Sequence, residues 1–130
     1  MTVIDAPGFV PAPTSGWTSA CRLDHLIPGR GVAVLLRGGR QAALFLLPDG
    51  TLYAVGNIDP FGRAAVISRG LVGSRGIVPV VVSPLLKQAF SLIDGHCLDD
   101  GTHALPVYGV RVVDGVVAVS NEPLDRGGRP

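Results

Sequence analysis

The sequence is short of several residue types that favour helices, and it has no long apolar run. It contains one glutamate, one lysine, one methionine and two glutamines, whereas valine and glycine each occur 18 times. The scarce residues are among the better helix formers, while valine favours strands and glycine favours turns. No apolar run approaches the roughly 20 residues that a membrane-spanning helix needs. The composition therefore predicts short strands joined by tight turns.

Neither sign of charge is in excess. Eleven lysine and arginine residues oppose 10 aspartate and glutamate residues, so the formal net charge is +1. The basic residues are scattered singly, and they lack the clustering with which proteins bind nucleic acid or anionic membranes. The first 16 residues show neither the basic nor the compact apolar segment of an export signal. We therefore expect a cytoplasmic protein that binds neither nucleic acid nor membranes.

Cysteine is scarce as well. Cys21 and Cys97 lie too far apart in the sequence for a redox pair or half of a zinc site, so we expect two buried or part-buried thiols. A segment with ligand types that zinc accepts surrounds the second cysteine: His96, Cys97, Asp99, Asp100 and His103. It follows an Asp-Gly turn, where such residues are ordinary solvated loop content. A small enzyme or metal protein that uses this segment remains an alternative.

Turn signals divide the chain into short strands. Gly38-Gly39 is typical of a two-residue hairpin turn, and Asp94-Gly95 and Asp114-Gly115 mark further turns. Strands are predicted at residues 31–37, 40–47, 51–55, 77–82, 87–93, 108–113 and 116–120. Pro79 places the fourth of these at a sheet edge or a bulge. The pattern predicts an all-β antiparallel sandwich or barrel with at most one or two helical turns, at 23–27 and 64–68.

The prediction gives a single domain with two irregular ends. Residues 1–16 are rich in proline, alanine and glycine and are expected to be a flexible lead-in. Residues 17–120 form the β domain, and residues 121–130 are expected to be a flexible tail. Within the domain, the glycine-rich stretch 70–76 lacks the residues of a phosphate-binding loop and is predicted to be an ordinary loop.

Two segments, residues 56–63 and 82–98, depart from the regular hairpin pattern. Three motifs carry a resemblance: NIDPFGRAAVISRGLVG at 57–73, VVSPLLKQAFSLIDGHCLDD at 81–100 and, more weakly, the hairpin YGVRVVDGVVAV at 108–119. The succession N-x-D-P-F, S-R-G and S-P-L-x-K-Q-x-F is specific, because a generic β-sandwich does not require these residues in this order. Over residues 17–120 the sequence resembles the small subunits of NAD(P)H-dependent nitrite reductases, which have a Rieske-like β fold.

This resemblance can be tested against cluster chemistry. A Rieske [2Fe–2S] cluster takes two cysteines and two histidines from two loops, as C-x-H and C-x-x-H. The matching positions here hold Asn57 and Asp59 in one loop and Ser83 and Leu86 in the other. The resemblance therefore implies degenerate ligand positions and no cluster. We expect two ordered loops instead, with Asn57 and Asp59 capping neighbouring backbone N–H groups as Asx-turns and Leu86 filling apolar space.

The resemblance also implies a role. The chain would be a non-catalytic subunit of an oxidoreductase that reduces nitrite to ammonium with electrons from NAD(P)H in nitrate assimilation. It would bind no cofactor itself, and FAD, an iron–sulfur cluster and sirohaem are expected in the large catalytic subunit, which this chain would stabilise or position. The alternative is a cluster-free Rieske-like adaptor of another oxidoreductase.

Candidate partner contacts lie in the same two loops. They are Pro60, Phe61, Arg63, Lys87 and Gln88. Aromatic and arginine side chains on ordered loops are frequent in protein interfaces. In the alternative interpretation, Phe61 folds back over the end of the barrel and covers the core.

Overall fold

The computed structural model describes residues 16–124, and it consists of nine strands and two 3₁₀ turns. The strands are β1 (Trp17–Arg22), β2 (Gly31–Leu35), β3 (Gln41–Leu46), β4 (Leu52–Gly56), β5 (Leu71–Arg75), β6 (Val78–Val82), β7 (Ala89–Ser91), β8 (Val107–Val113) and β9 (Val116–Pro123). The 3₁₀ turns span Leu23–His25 and Ile67–Arg69, within or beside the two segments predicted to be helical. Within residues 16–124, no helix is long and apolar enough to cross a membrane.

All strand pairings are antiparallel, and they form two sheets. The larger sheet has the order β1-β9-β8-β4-β3-β2 and curls into a nearly closed barrel. The smaller sheet, β5-β6-β7, is built from the chain between β4 and β8. This architecture confirms the predicted all-β, Rieske-like fold.

Two apolar clusters form the core. One lies inside the larger sheet and includes Leu44, Tyr108 and Val119. The other packs the smaller sheet onto the larger one, and its fully buried members include Phe45 and Phe90. This second cluster lies beneath the loops that enter and leave the smaller sheet, so it fixes their position.

The predicted tail begins too early. Strand β9 continues past residue 120 to Pro123, because Asn121 is buried and makes specific hydrogen bonds. Its Oδ1 accepts from the Thr18 hydroxyl and from the Arg37 N–H, and its own N–H donates to the Gly16 carbonyl at 2.8 Å. Asn121 thereby ties β9 to β1 and to the hairpin between β2 and β3. The predicted flexibility of 1–15 and 125–130 lies outside the described residues.

The structure corrects three further local predictions. The glycine-rich stretch 70–76 holds strand β5, whose five residues pair with β6. Strand β6 is central rather than at an edge, and Pro79 is tolerated because pairing with β7 starts only at Val80. The Gly38-Gly39 hairpin exists, but its loop has three residues, closed by a bond from Leu36 N to Arg40 O of 2.8 Å. Both glycines have positive φ, 91° and 92°.

Candidate functional site

The candidate site consists of two adjacent loops at one end of the smaller sheet. The first loop, residues 57–66, follows β4, and the second loop, residues 83–88, joins β6 to β7. The structure buries three of the four degenerate ligand positions, Asn57, Asp59 and Ser83, and leaves Leu86 57% exposed. The three polar side chains are therefore buried, whereas such side chains are usually exposed to solvent.

Asp59 links the two loops. Its Oδ1 accepts hydrogen bonds from the backbone N–H of Phe61 at 2.7 Å and of Gly62 at 3.3 Å, which fixes the turn of the first loop. Its Oδ2 accepts a short hydrogen bond from the hydroxyl of Ser83 in the second loop. Asp59 is fully buried, so these donors replace the water that its carboxylate would otherwise bind.

Asn57 anchors the first loop to the barrel. Its amide donates to Gln41 Oε1 on β3 at 3.0 Å, and its Oδ1 accepts from the Ser68 N–H in the second 3₁₀ turn at 2.7 Å. Both partners are far from Asn57 in sequence. The expected capping of neighbouring backbone N–H groups is therefore confirmed for Asp59 but is wrong for Asn57, which accepts from the N–H of Ser68, 11 residues away.

The expectation that Leu86 fills apolar space is wrong. Its neighbour Leu85 makes the contact between the loops instead: a Cβ added at Gly62 would lie 2.4 Å from Leu85 Cδ1. Leu86 points away from this contact and is 57% exposed. The second loop is short and is closed by bonds from Ser83 N to Gln88 O and from Lys87 N to Ser83 O.

Phe61 covers the core in part. Its ring lies 6.2 Å from the Phe90 ring and 4.2 Å from the His103 ring, measured between centroids, and it is half-buried. The sequence left open whether this ring faces a partner or the core. Its packing against Phe90 supports the second interpretation, while its half-exposed edge remains at the surface.

Arg63 and Lys87 are both exposed and both have left-handed backbone, with φ of 61° and 62°. Among residues 16–124, neither side chain forms an ion pair. Gln88 is half-buried, and the Cys97 thiol approaches its side-chain oxygen at 3.8 Å. Of the five candidate contacts, Arg63 and Lys87 are thus exposed, whereas Pro60, Phe61 and Gln88 are half-buried.

The residues at the cluster positions do not fit a Rieske cluster. Leu86 has no donor atom, and the cysteines are elsewhere, with Cys21 on β1 and Cys97 beyond β7. The part of the chain that the structure describes contains no group of three or more His, Cys, Asp or Glu side chains placed to hold a metal ion. The two loops are instead joined by the hydrogen bond from the Ser83 hydroxyl to the Asp59 carboxylate.

The side chains of the alternative zinc segment, residues 96–103, are not placed to bind one metal ion either. His96 pairs with Asp94, and His103 pairs with Asp100 at 3.4 Å and stacks on Phe61. The thiol of Cys97 is buried. These side chains serve as local turn and packing contacts of the segment that follows β7.

Asp99 holds the start of β7, directly after the second loop. Its carboxylate accepts from the Ala89 N–H at 2.8 Å and pairs with Arg75 at 3.3 Å. The backbone hydrogen bond from Ala89 and the positive charge of Arg75 lower the pKa of Asp99 below its ordinary value of 3.8. Because the charged form is favoured in the folded state, its stabilisation is present above about pH 4 and is lost as the pH falls below that value.

We expect Asp99→Asn to lower the melting temperature at pH 7 and to lower it progressively less as the pH approaches 3. The difference between the two proteins shrinks as the pH falls, because protonation progressively removes the charge of the wild-type carboxyl. Thermal melts of both proteins from pH 7 to pH 3 measure this convergence. A difference that stays constant over the whole range would contradict the role assigned to the Asp99 charge.

The curled sheet, the smaller sheet inserted between β4 and β8, and the paired loops at its end define a Rieske-like domain. The Rieske-like [2Fe-2S] domain family matches residues 16–120 of this chain. The solved structure of an NADH-dependent nitrite reductase small subunit from Mycobacterium tuberculosis is 58% identical, covers 83% of this chain and 96% of its own, and superposes with a TM-score of 0.80.

Comparison with curated relatives places the chain more narrowly within the Rieske-like domains. The nitrite reductase (NADH) small subunit of Salmonella typhimurium is 43% identical over 104 residues, which are 79% of this chain and 95% of the relative. The nitrite reductase [NAD(P)H] large subunit of Klebsiella oxytoca is 40% identical over 92% of this chain, which corresponds to only 12% of that much longer protein. The chain belongs to the nitrite reductase small-subunit family within the Rieske-like domains.

Proposed function

We propose that this chain is the small subunit of an NADH-dependent nitrite reductase and binds to the large subunit without taking part in the chemistry. The observation that supports this most is the match to a small subunit of that enzyme over 95% of the relative's length. In Klebsiella oxytoca the matching stretch is part of the large subunit itself, so there the two units belong to one chain.

In this proposal the chain binds no cofactor of its own. The degenerate positions Asn57, Asp59, Ser83 and Leu86 support this, because they lack the thiolate and imidazole donors of a Rieske cluster. FAD, an iron–sulfur cluster and sirohaem are then held by the large subunit, which transfers electrons from the nicotinamide to nitrite and forms ammonium. The complex acts in the cytoplasm.

The contribution of this chain is to stabilise the large subunit or to position one of its domains. The two loops suit such contact because hydrogen bonds to buried Asp59 and Asn57 hold them in one conformation. A pre-organised surface loses little entropy on binding. We place the contact at the surface of these loops, around Pro60, Phe61, Arg63 and Lys87, with Gln88 supporting them from below.

The test is NADH-dependent nitrite consumption by the separately purified large subunit with and without this chain. We expect a higher rate or a longer enzyme lifetime when the chain is present, and co-elution of the two on a sizing column. Iron and acid-labile sulfide in the purified chain should be at background. The absence of both complex and effect would overturn the subunit role, and stoichiometric iron would overturn the cofactor assignment.

A further inference from the structure

We propose that one surface, formed by Ile58, Arg63, Leu85, Leu86 and Lys87, is where the large subunit binds, and that the surface facing it is apolar and bordered by carboxylates. These five residues are called the loop tip below. This inference rests on the proposed function, whose partner it adopts; it narrows the contact to these five residues of the two loops and adds the chemistry of the facing surface.

The first argument is exposed apolar area. Ile58, Leu85 and Leu86 are 44%, 42% and 57% exposed, and all three lie on the two loops. Single exposed apolar side chains are common, but several grouped on ordered loops are typical of a binding surface. Leu86 is notable because its position is that of a degenerate ligand, where a buried side chain was expected.

The second argument is the backbone under the two cations. Arg63 and Lys87 have φ of 61° and 62°, a region that costs a non-glycine residue free energy and costs glycine little. Asp114, in the β8–β9 turn, is the other described non-glycine residue with such a φ, and aspartate tolerates it better. Both loops therefore keep a long cationic side chain where glycine would be the more stable choice.

The third argument is unbalanced charge. Segments 58–63 and 84–88 contain a single carboxylate, Asp59, which is buried and hydrogen-bonded. Within residues 16–124 neither the guanidinium of Arg63 nor the ammonium of Lys87 forms an ion pair, and the neighbouring carboxylate of Asp99 pairs with Arg75 instead. Carboxylates on the facing surface would complete these pairs and would accelerate association at low salt.

The occupant is the large subunit rather than a second copy of this chain. The Klebsiella oxytoca relative includes the equivalent stretch within its large subunit, which makes that protein the natural neighbour of this domain. A second copy would bring Arg63 and Lys87 against the same cations, and like charges oppose such a contact.

The test measures the Kd between the purified large subunit and variants of this chain. We expect Arg63→Glu, Lys87→Glu and Leu86→Ser each to raise the Kd by about tenfold or more. Two matched controls lie away from the loop tip. Arg30→Glu reverses a charge next to Gly29, whose N–H donates to the Leu46 carbonyl at the end of β3 opposite to Gln41. Ile77→Ser replaces a 97% exposed apolar residue at the end of β6 opposite to Ser83. Both controls should stay within about twofold of wild type.

Glycine substitutions separate binding from folding. Arg63→Gly and Lys87→Gly remove the cation and relieve the backbone, so we expect an equal or higher melting temperature together with a higher Kd. The Kd of these two variants should also rise less steeply with salt concentration than the Kd of wild type.

The outcomes distinguish the two proposals. If the wild-type chain does not bind the large subunit at all, the proposed function fails. If it binds and the loop-tip variants bind as tightly as the controls, the loop tip is not the contact and only this inference fails. Self-association that the same variants abolish would assign the loop tip to a second copy instead and would also overturn the inference.

Discussion

Replacing Asp59 by alanine is expected to lower the free energy of unfolding by about 3 kcal/mol. The carboxylate is fully buried and accepts hydrogen bonds from the N–H groups of Phe61 and Gly62 and from the Ser83 hydroxyl. Alanine leaves these donors without a partner in a site that water does not readily reach. Urea unfolding of both proteins at pH 7 measures the loss.

Two milder variants show which hydrogen bonds matter. Asp59→Asn keeps an acceptor for the first loop and should cost less than Asp59→Ala, whereas Ser83→Ala removes the bond between the loops and the longer bond from the Leu85 N–H to the Ser83 hydroxyl. The double variant Asp59→Ala with Ser83→Ala should lose less than the sum of the single losses, because both remove the same bond. Strict additivity would show that Asp59 and Ser83 do not depend on each other.

Replacing Phe90 by alanine should destabilise the domain by about 4 kcal/mol. Phe90 is fully buried on β7 between the two sheets, and its ring supports that of Phe61 from below. Alanine removes apolar contacts and leaves a cavity that the surrounding strands cannot fill. Because β7 follows the second loop directly, we also expect faster amide hydrogen exchange in residues 83–88.

Graded substitutions test the cavity explanation. Phe90→Leu keeps most of the apolar volume and should cost clearly less than Phe90→Ala, and Phe61→Ala should also cost less because that ring is half-exposed. Equal losses for Phe61→Ala and Phe90→Ala would show that the surface ring contributes as much as the buried one, contrary to their burial.

The turns and the loop pair could be predicted because their causes are local. Gly38, Gly39 and the Asp-Gly pairs need backbone that few other residues adopt, so they mark turns in any fold. Asn57 and Asp59 precede a proline-containing turn and bond to backbone N–H groups. Their partners on β3 and in the second loop, however, depend on how the sheets pack.

The wrong predictions involve tertiary contacts. Glycines at 70, 73 and 76 suggested a loop, but Gly70 packs so closely on β6 that an added Cβ would lie 2.5 Å from the Val82 carbonyl oxygen, and β5 forms there. Asn121 was predicted to begin a tail, because its hydrogen-bond partners Thr18 and Arg37 are distant in sequence and no local pattern indicates them. Leu85 rather than Leu86 contacts the first loop, and no sequence pattern distinguishes these two neighbouring leucines.

The strand order has a consequence for how the chain folds. Strand β9, the last in the sequence, lies between β1 and β8, so the larger sheet is complete only when both ends of the domain have met. Pairing of β4 with β8 likewise requires closure of the whole intervening segment. The β2–β3–β4 meander and the smaller sheet can form early from neighbouring residues. We therefore expect closure by β9 to come late in folding, and a chain still emerging from the ribosome cannot complete the larger sheet before residue 123 is available.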